Sequence, residues 1–296
     1  MTATTEPSAA ATHEGDVDDA AASRFAAEYS APALGPIAVV IAAYNEEAAL
    51  GDVLDGIPAA VEGKHISVIV VDDGSTDATA DVARSRGVYT VVPDRNRGQG
   101  AALRLGYRIA HEGGAEYIAT LDADGQYDPS ELRAVLHPVL SNKADFVTGS
   151  RRLGREETTD NVRRAGVRFY AWLVSALTRQ RITDTSFGLR AMRVHVTSTV
   201  TLAQPQYQSS ELLIGALAHG FRVVEVPTTM RERAAGESKK GHNLLYGFRY
   251  GRVVLGTWVR ERARRRAVAG RPLVGVIDHG TPSGPAAHTS PGTARH

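Results

Sequence analysis

The apolar positions of this chain cluster into short runs, at residues 37–43, 66–71, 88–92, 117–121 and 145–149. Runs of this length, with turn residues at their ends, predict strands buried on both faces. Between them lie stretches with helical spacing: 46–60, the segment after Asp77, 101–111, and the segment opened by Asp128-Pro129-Ser130-Glu131. That last tetrapeptide reads as an N-cap, a proline at N1 and the Glu of a capping box. Ser75 or Asp77 offers a cap to the helix after the second strand. Strands alternating with helices over short links predict a doubly wound, mostly parallel α/β sheet. Ligands bind such sheets at the carboxyl ends of the strands, where Asn45-Glu46, Asp72-Asp73 and Asp122-Asp124 all fall. Beyond about residue 150 the pattern loosens. Helices are expected at 163–177 and 209–219, a strand at 221–226, and a helix at 241–266. The last carries Leu244, Leu245, Phe248, Val254, Leu255, Trp258 and Val259 on roughly one side.

Residues 1–35 are rich in Ala, Thr, Ser and acids, with little periodicity, and are expected to form a disordered acidic tail. A catalytic domain is expected over 36–240, a basic amphipathic helix over 241–267, and a second disordered tail over 268–296. The 34 Lys and Arg nearly balance the 33 Asp and Glu, but the distribution is uneven. Glu6, Glu14, Asp16, Asp18 and Asp19 open the chain, and seven arginines fall between Arg249 and Arg266. Cysteine is absent, which excludes disulfides, zinc-thiolate sites and thiol nucleophiles. No apolar run reaches the ~20 residues of a membrane-spanning helix. The expectation is a cytoplasmic protein whose contact with a membrane is peripheral.

The most informative residues are Asp122-Ala123-Asp124-Gly125-Gln126, directly after an apolar run. If the strand continues, side chains at i and i+2 point the same way. Two hard carboxylates on one face suit Mg²⁺ or Mn²⁺, which leave coordination positions for phosphate oxygens and water.

Three further motifs accompany this one: Val40-Ile41-Ala42-Ala43-Tyr44-Asn45-Glu46-Glu47, Val70-Val71-Asp72-Asp73-Gly74-Ser75-Thr76-Asp77, and Asn96-x-Gly98-x-Gly100. Together they resemble a family 2 glycosyltransferase with the GT-A fold, over roughly residues 36–240. Gln126, Gly149-Ser150-Arg151, Asp184-x-x-x-Gly188, Glu225-Val226-Pro227 and Arg233-x-x-Gly236-Glu237-Ser238-Lys239 are similar to its dolichol- or polyprenyl-phosphate mannose synthase-like branch. Ala42 stands where the family has proline, Gln99 where the branch often has lysine, and Arg152 where it often has tyrosine. The resemblance implies that Ala42, Tyr44, Glu46, Val71, Asp73 and Ala123, with Asp124, line the nucleotide. It implies that Asp122, Asp124 and Gln126 hold the metal, and that Arg151, Arg163, Arg233 and Lys239 hold phosphates. The implied reaction is metal-dependent transfer of a sugar, with inversion, from a nucleotide-diphosphate sugar to polyprenyl phosphate.

An acceptor that is already an anion needs little general base, so positioning by arginine forks dominates. A soluble neutral acceptor would instead need a carboxylate base, and a non-catalytic nucleotide-sugar-binding subunit would not need the intact Asp122/Asp124 pair. The C-terminal helix has three readings: a helix lying in the lipid headgroup region, a helix packed on the catalytic domain, or a dock for a small membrane-anchoring subunit. No nucleic-acid partner is expected. Glu211, in the first turn of its helix, is read as dipole chemistry without a catalytic role.

Overall fold

The run at 37–43 is buried on both sides because it lies in the middle of a sheet. Its alternate residues feed two cores: Ala38 and Val40 face one, and Ile37, Val39 and Ile41 face the other. The computed structural model describes residues 9–157, 161–204, 207–231 and 244–269. In chain order these form α1 (Ala9–Glu28), β1 (Ile37–Ala43), α2 (Glu47–Asp55), β2 (Ala60–Val61), β3 (Lys64–Asp72), α3 (Thr79–Ser85), β4 (Tyr89–Val91), α4 (Gln99–Glu112) and β5 (Tyr117–Thr120). A 3₁₀ turn (Pro129–Glu131) then runs into α5 (Leu132–Leu140), followed by β6 (Phe146–Glu156), α6 (Asn161–Thr178), β7 (Arg190–Arg193), α7 (Val194–Thr199), α8 (Gln208–His219), β8 (Val223–Met230) and α9 (Leu244–Ala269).

The sheet order is β2-β3-β1-β5-β7-β6-β8, with β4 also on β3. β4, β3, β1 and β5 run parallel, as do β6 and β8. β7 is antiparallel to both its neighbours, β5 and β6, and so joins the two halves. Its four residues, with arginine at each end, carry no strand signal, and the sequence predicts neither β7 nor the two-residue β2. The first core layer collects side chains from α4, α8 and α9, and the second collects them from α2 and α5.

Three expectations are corrected. The N-terminal tail is in part the helix α1. Its alanines favour helix, and Ala21, Ala22 and Phe25 are buried against the body. Phe25 and Tyr29 stack with Tyr89 of β4. The acids find basic partners: Asp18 pairs with Arg97 at 2.5 Å and Asp19 with Arg108. The capping box is half formed. Asp128 accepts the Ser130 amide at 2.9 Å, but the Glu131 carboxylate turns away to accept the Thr229 amide of β8. Finally, the apolar residues of α9 split between two sides. Tyr250 and Val254 enter the core with Trp258 packed against it, whereas Leu255 and Val259 point outward. Residues one apart differ by about 100° around a helix, so Val254 and Leu255 do not share a face. The side chains of Leu244, Leu245 and Phe248, and the expected tail beyond residue 269, lie outside the described residues.

α9 is joined to α8 by a buried polar cross-brace. Arg260 donates to Glu211 at 2.7 Å, to Glu261 at 2.8 Å and to the Thr201 carbonyl at 2.8 Å. His219 bonds the other oxygen of Glu261 at 2.9 Å. Glu211 also accepts the Ala203 and Gln204 amides. Its part is therefore to hold the loop and α9, which goes beyond the dipole reading.

Candidate active site

The carboxyl ends of β1, β3 and β5 lie side by side, with Ala43 opposite Asp72 and Val40 opposite Thr120. The loop after β1 turns sharply at Asn45, whose φ is 53°. It is stitched to the loop after β3. The Asn45 amide donates to Ser75 Oγ, the Thr76 amide to Asn45 Oδ1, and the Glu46 amide to Thr79 Oγ1. Asp77 accepts the Glu47 and Thr79 amides, but the cap position of α3 falls on Ala78, which has no side-chain acceptor, so neither Ser75 nor Asp77 is the cap the sequence suggests. Tyr44 and Glu46 sit half-buried at this edge. Val71 and Ala123, by contrast, are enclosed in the two cores, so they can offer a ligand only backbone atoms. Ala42 is partly buried against the first core.

Asp73 is buried and holds the glycine loop. Its carboxylate accepts the Arg97 amide at 3.0 Å and the Gly98 amide at 2.6 Å. Burial raises its pKa above the usual carboxylate value, while the two amides pull the other way. Gly98 has φ 90°, a conformation other residues avoid, and directly precedes α4. Gly98 thus serves the turn into that helix, Gly100 already lies within it, and the turn presents Gln99 to Asp122, with Nε2 3.2 Å from Oδ1.

β5 ends at Thr120, so Asp122 and Asp124 stand in the turn beyond it. Strand alternation therefore does not set their directions: the extended backbone ends before they are reached and the chain turns at Gly125 (φ 72°). Asp124 is buried and accepts the amide of Gln126 at 3.1 Å. Gln126 pairs through its backbone oxygen with the Arg231 amide, and Arg231 binds Asp128 at 2.6 Å. Gly188, leading into β7, abuts Asp122: a Cβ there would lie 2.6 Å from Asp122 Oδ2. No His, Cys, Asp or Glu joins the pair to make a cluster of three among the described residues. Such a donor set fits a hard cation that takes its remaining ligands from substrate oxygens and water.

Arg151 lies deeper than expected of a phosphate ligand. Its side chain is 1% exposed and its Nε donates to Asp184 Oδ2 at 2.6 Å. Nη2 reaches Ser186 Oγ at 3.1 Å, and the guanidinium stands over Phe187. Burial alone would lower its pKa, but the charge of Asp184 leads the opposing influences and the net shift is upward. Nη1 has no hydrogen-bond partner, with Glu156 at 3.8 Å. Arg163 is in α6 with its side chain outside the described ones, and Arg233 and Lys239 lie outside the described residues. The sequence marks Asp184 and Gly188 only as motif positions. It gives no sign of Arg190, whose place opposite Thr120 depends on β7.

A family model described as Glycosyl transferase family 2 matches residues 38–200. The chain is 32% identical over 228 residues to a dolichyl-phosphate hexose transferase of Haloferax volcanii, covering 77% of this chain and 96% of that one. It is 33% identical over 240 residues to an undecaprenyl-phosphate 4-deoxy-4-formamido-L-arabinose transferase of Edwardsiella ictaluri, covering 77% and 70%. Among solved structures, glucosyl-3-phosphoglycerate synthase from Mycobacterium tuberculosis, crystallised with Mn²⁺, UDP and phosphoglyceric acid, superimposes with a TM-score of 0.60. It shares 21% identity, with 81% of this chain and 82% of that one covered. The fold is the GT-A fold expected from the sequence.

Proposed function

The chain belongs to glycosyl transferase family 2, and from that premise we propose that it moves a sugar, with inversion, from a nucleotide-diphosphate sugar to polyprenyl phosphate. The observation that carries the reading is the meeting of Asp122, Asp124 and the Asp73-held loop at one sheet edge, with Asp184, Ser186 and Gly188 lining the approach to β7. Asp122 and Asp124, with Gln126, would hold Mg²⁺ or Mn²⁺. The ion would stabilise charge on the departing diphosphate without a proton donor. Tyr44, Glu46 and Asp73 would hold the nucleotide. Arg151 would hold phosphate, with Arg163, Arg233 and Lys239 as further cations. The relatives named for dolichyl and undecaprenyl phosphate support the acceptor class. Purified protein with Mg²⁺ or Mn²⁺, polyprenyl phosphate and labelled GDP-mannose, UDP-glucose or UDP-N-acetylglucosamine is expected to yield an organic-extractable glycolipid from one of the three. Product from none of them rejects the acceptor assignment.

A lipid acceptor brings the protein to a bilayer. Among the described residues no helix is long and apolar enough to cross one. Two helices that pack through Tyr170 and Tyr250 instead expose apolar side chains: Phe169 and Trp172 on α6, Leu255 and Val259 on α9. Arg168, Arg252 and Arg262 are exposed on the same two helices. Apolar side chains interleaved with arginines suit an anionic headgroup layer. Phe169→Glu with Trp172→Glu is expected to reduce sedimentation with phosphatidylglycerol vesicles by about tenfold. Turnover of a short-chain soluble acceptor should be unchanged. Equal sedimentation of the variant would remove α6 from the docking face.

A further inference from the structure

Arg190 is a buried charge that no carboxylate among the described residues balances by an ion pair. It opens β7 in the middle of the sheet, opposite Thr120 of β5 and Thr148 of β6, two residues after the glycine that abuts Asp122. It is 2% exposed, the largest of the fully buried side chains. Nε and Nη2 are both enclosed without a hydrogen bond. Its neighbours are aromatic. The guanidinium stands 6.0 Å from the Phe146 ring centroid, and Tyr107 and Tyr250 share the same core layer. Burial pushes both tyrosines up to about 12, so they stay protonated. The charge of Asp122 reaches Arg190 across the gap, but that carboxylate faces the sheet edge, where Gln99 bonds it. Gln208 Oε1 is likewise buried and unpaired. Arg97 and Arg151 are similarly enclosed, and each holds a carboxylate.

An unpaired buried charge opposes folding, so its retention calls for a counter-charge that arrives from outside. We propose that Arg190 is an electrostatic positioning residue whose charge is balanced by the diphosphate of the bound donor. This rests on the function proposed above. Asp122 and Asp124 would neutralise a divalent cation, which leaves the diphosphate charge over. As an acceptor phosphate oxygen donates a pair to the anomeric carbon, the anomeric C–O pair departs with the diphosphate, which gains one negative charge. Arg190 stands opposite Thr120, two residues before Asp122, and supplies one positive charge to that edge of the sheet through a poorly screening interior.

The test compares Arg190→Met and Arg190→Lys with the wild type. Melting temperature is measured without ligand, and calorimetry measures binding of Mg²⁺-pyrophosphate, Mg²⁺-UDP and Mg²⁺-GDP. Arg190→Met is expected to melt at or above the wild-type temperature yet bind these anions about tenfold more weakly, because a structural burden and an anion counter-charge are lost together. Arg190→Lys should keep binding within about threefold. Wild-type affinity in Arg190→Met overturns the inference. So does equal weakening in both variants with lowered melting temperatures, which marks a packing role. A wild type that binds none of the three anions overturns the underlying function, and this inference with it.

Discussion

Asp122→Asn is expected to lower turnover by about 10²- to 10³-fold with the fold intact, and Asp124→Asn to do the same. The substitution is close to isosteric and removes charge alone. An asparagine side chain at position 122 can still accept from Gln99 through Oδ1, and one at position 124 can still accept the Gln126 amide that closes the turn. Melting temperature should therefore move little. The lost element is the anionic oxygen that a hard cation needs, so the residual rate should also require at least about tenfold more metal. Steady-state rates across an Mn²⁺ titration measure both effects. A variant with wild-type turnover and metal dependence would show that Asp122 and Asp124 do not hold the metal.

Asp184→Asn should act on stability. Asp184 is fully buried and accepts from Arg151 and from the Ser186 amide. Removing its charge strands a guanidinium whose side chain is 1% exposed. Breaking a buried pair from one side costs about 3–5 kcal/mol, on the order of 10 °C in melting temperature for a chain of this size. Replacing both partners, as Arg151→Met with Asp184→Leu, removes the stranded charge and should recover much of that loss. Thermal unfolding of the single and double variants decides the matter. A double variant no more stable than Asp184→Asn would show that packing around Phe187, rather than charge, holds this corner.

Much of the architecture is written in the chain because local chemistry decides it. β1 has the bounds read from its apolar run, since a strand buried on both faces must be apolar throughout. The acidic turns at its neighbours' ends are legible for the same reason: polar residues appear where the sheet stops. The rest depends on distant partners. α1 has no apolar stripe to announce it, and its acids become structural only where Arg97 and Arg108 meet them. β7 is four residues long and is held by two neighbours far away in sequence. The burial of Arg151 depends on Asp184, 33 residues later, a partner no local pattern reveals. For Asp122 and Asp124 the sequence points to one sheet edge but to the wrong backbone, since the strand ends at Thr120 and the pair rides on a turn.

The brace between α8 and α9 has a mechanical consequence. Glu211 on α8 and Glu261 on α9 are both sealed from water, and lifting α9 away would take Arg260 from Glu211 and His219 from Glu261. The helix is therefore no tether. A surface that meets Leu255 and Val259 meets the whole molecule at one fixed attitude, and the height of the sheet's acidic rim above that surface is set by the fold rather than by a hinge.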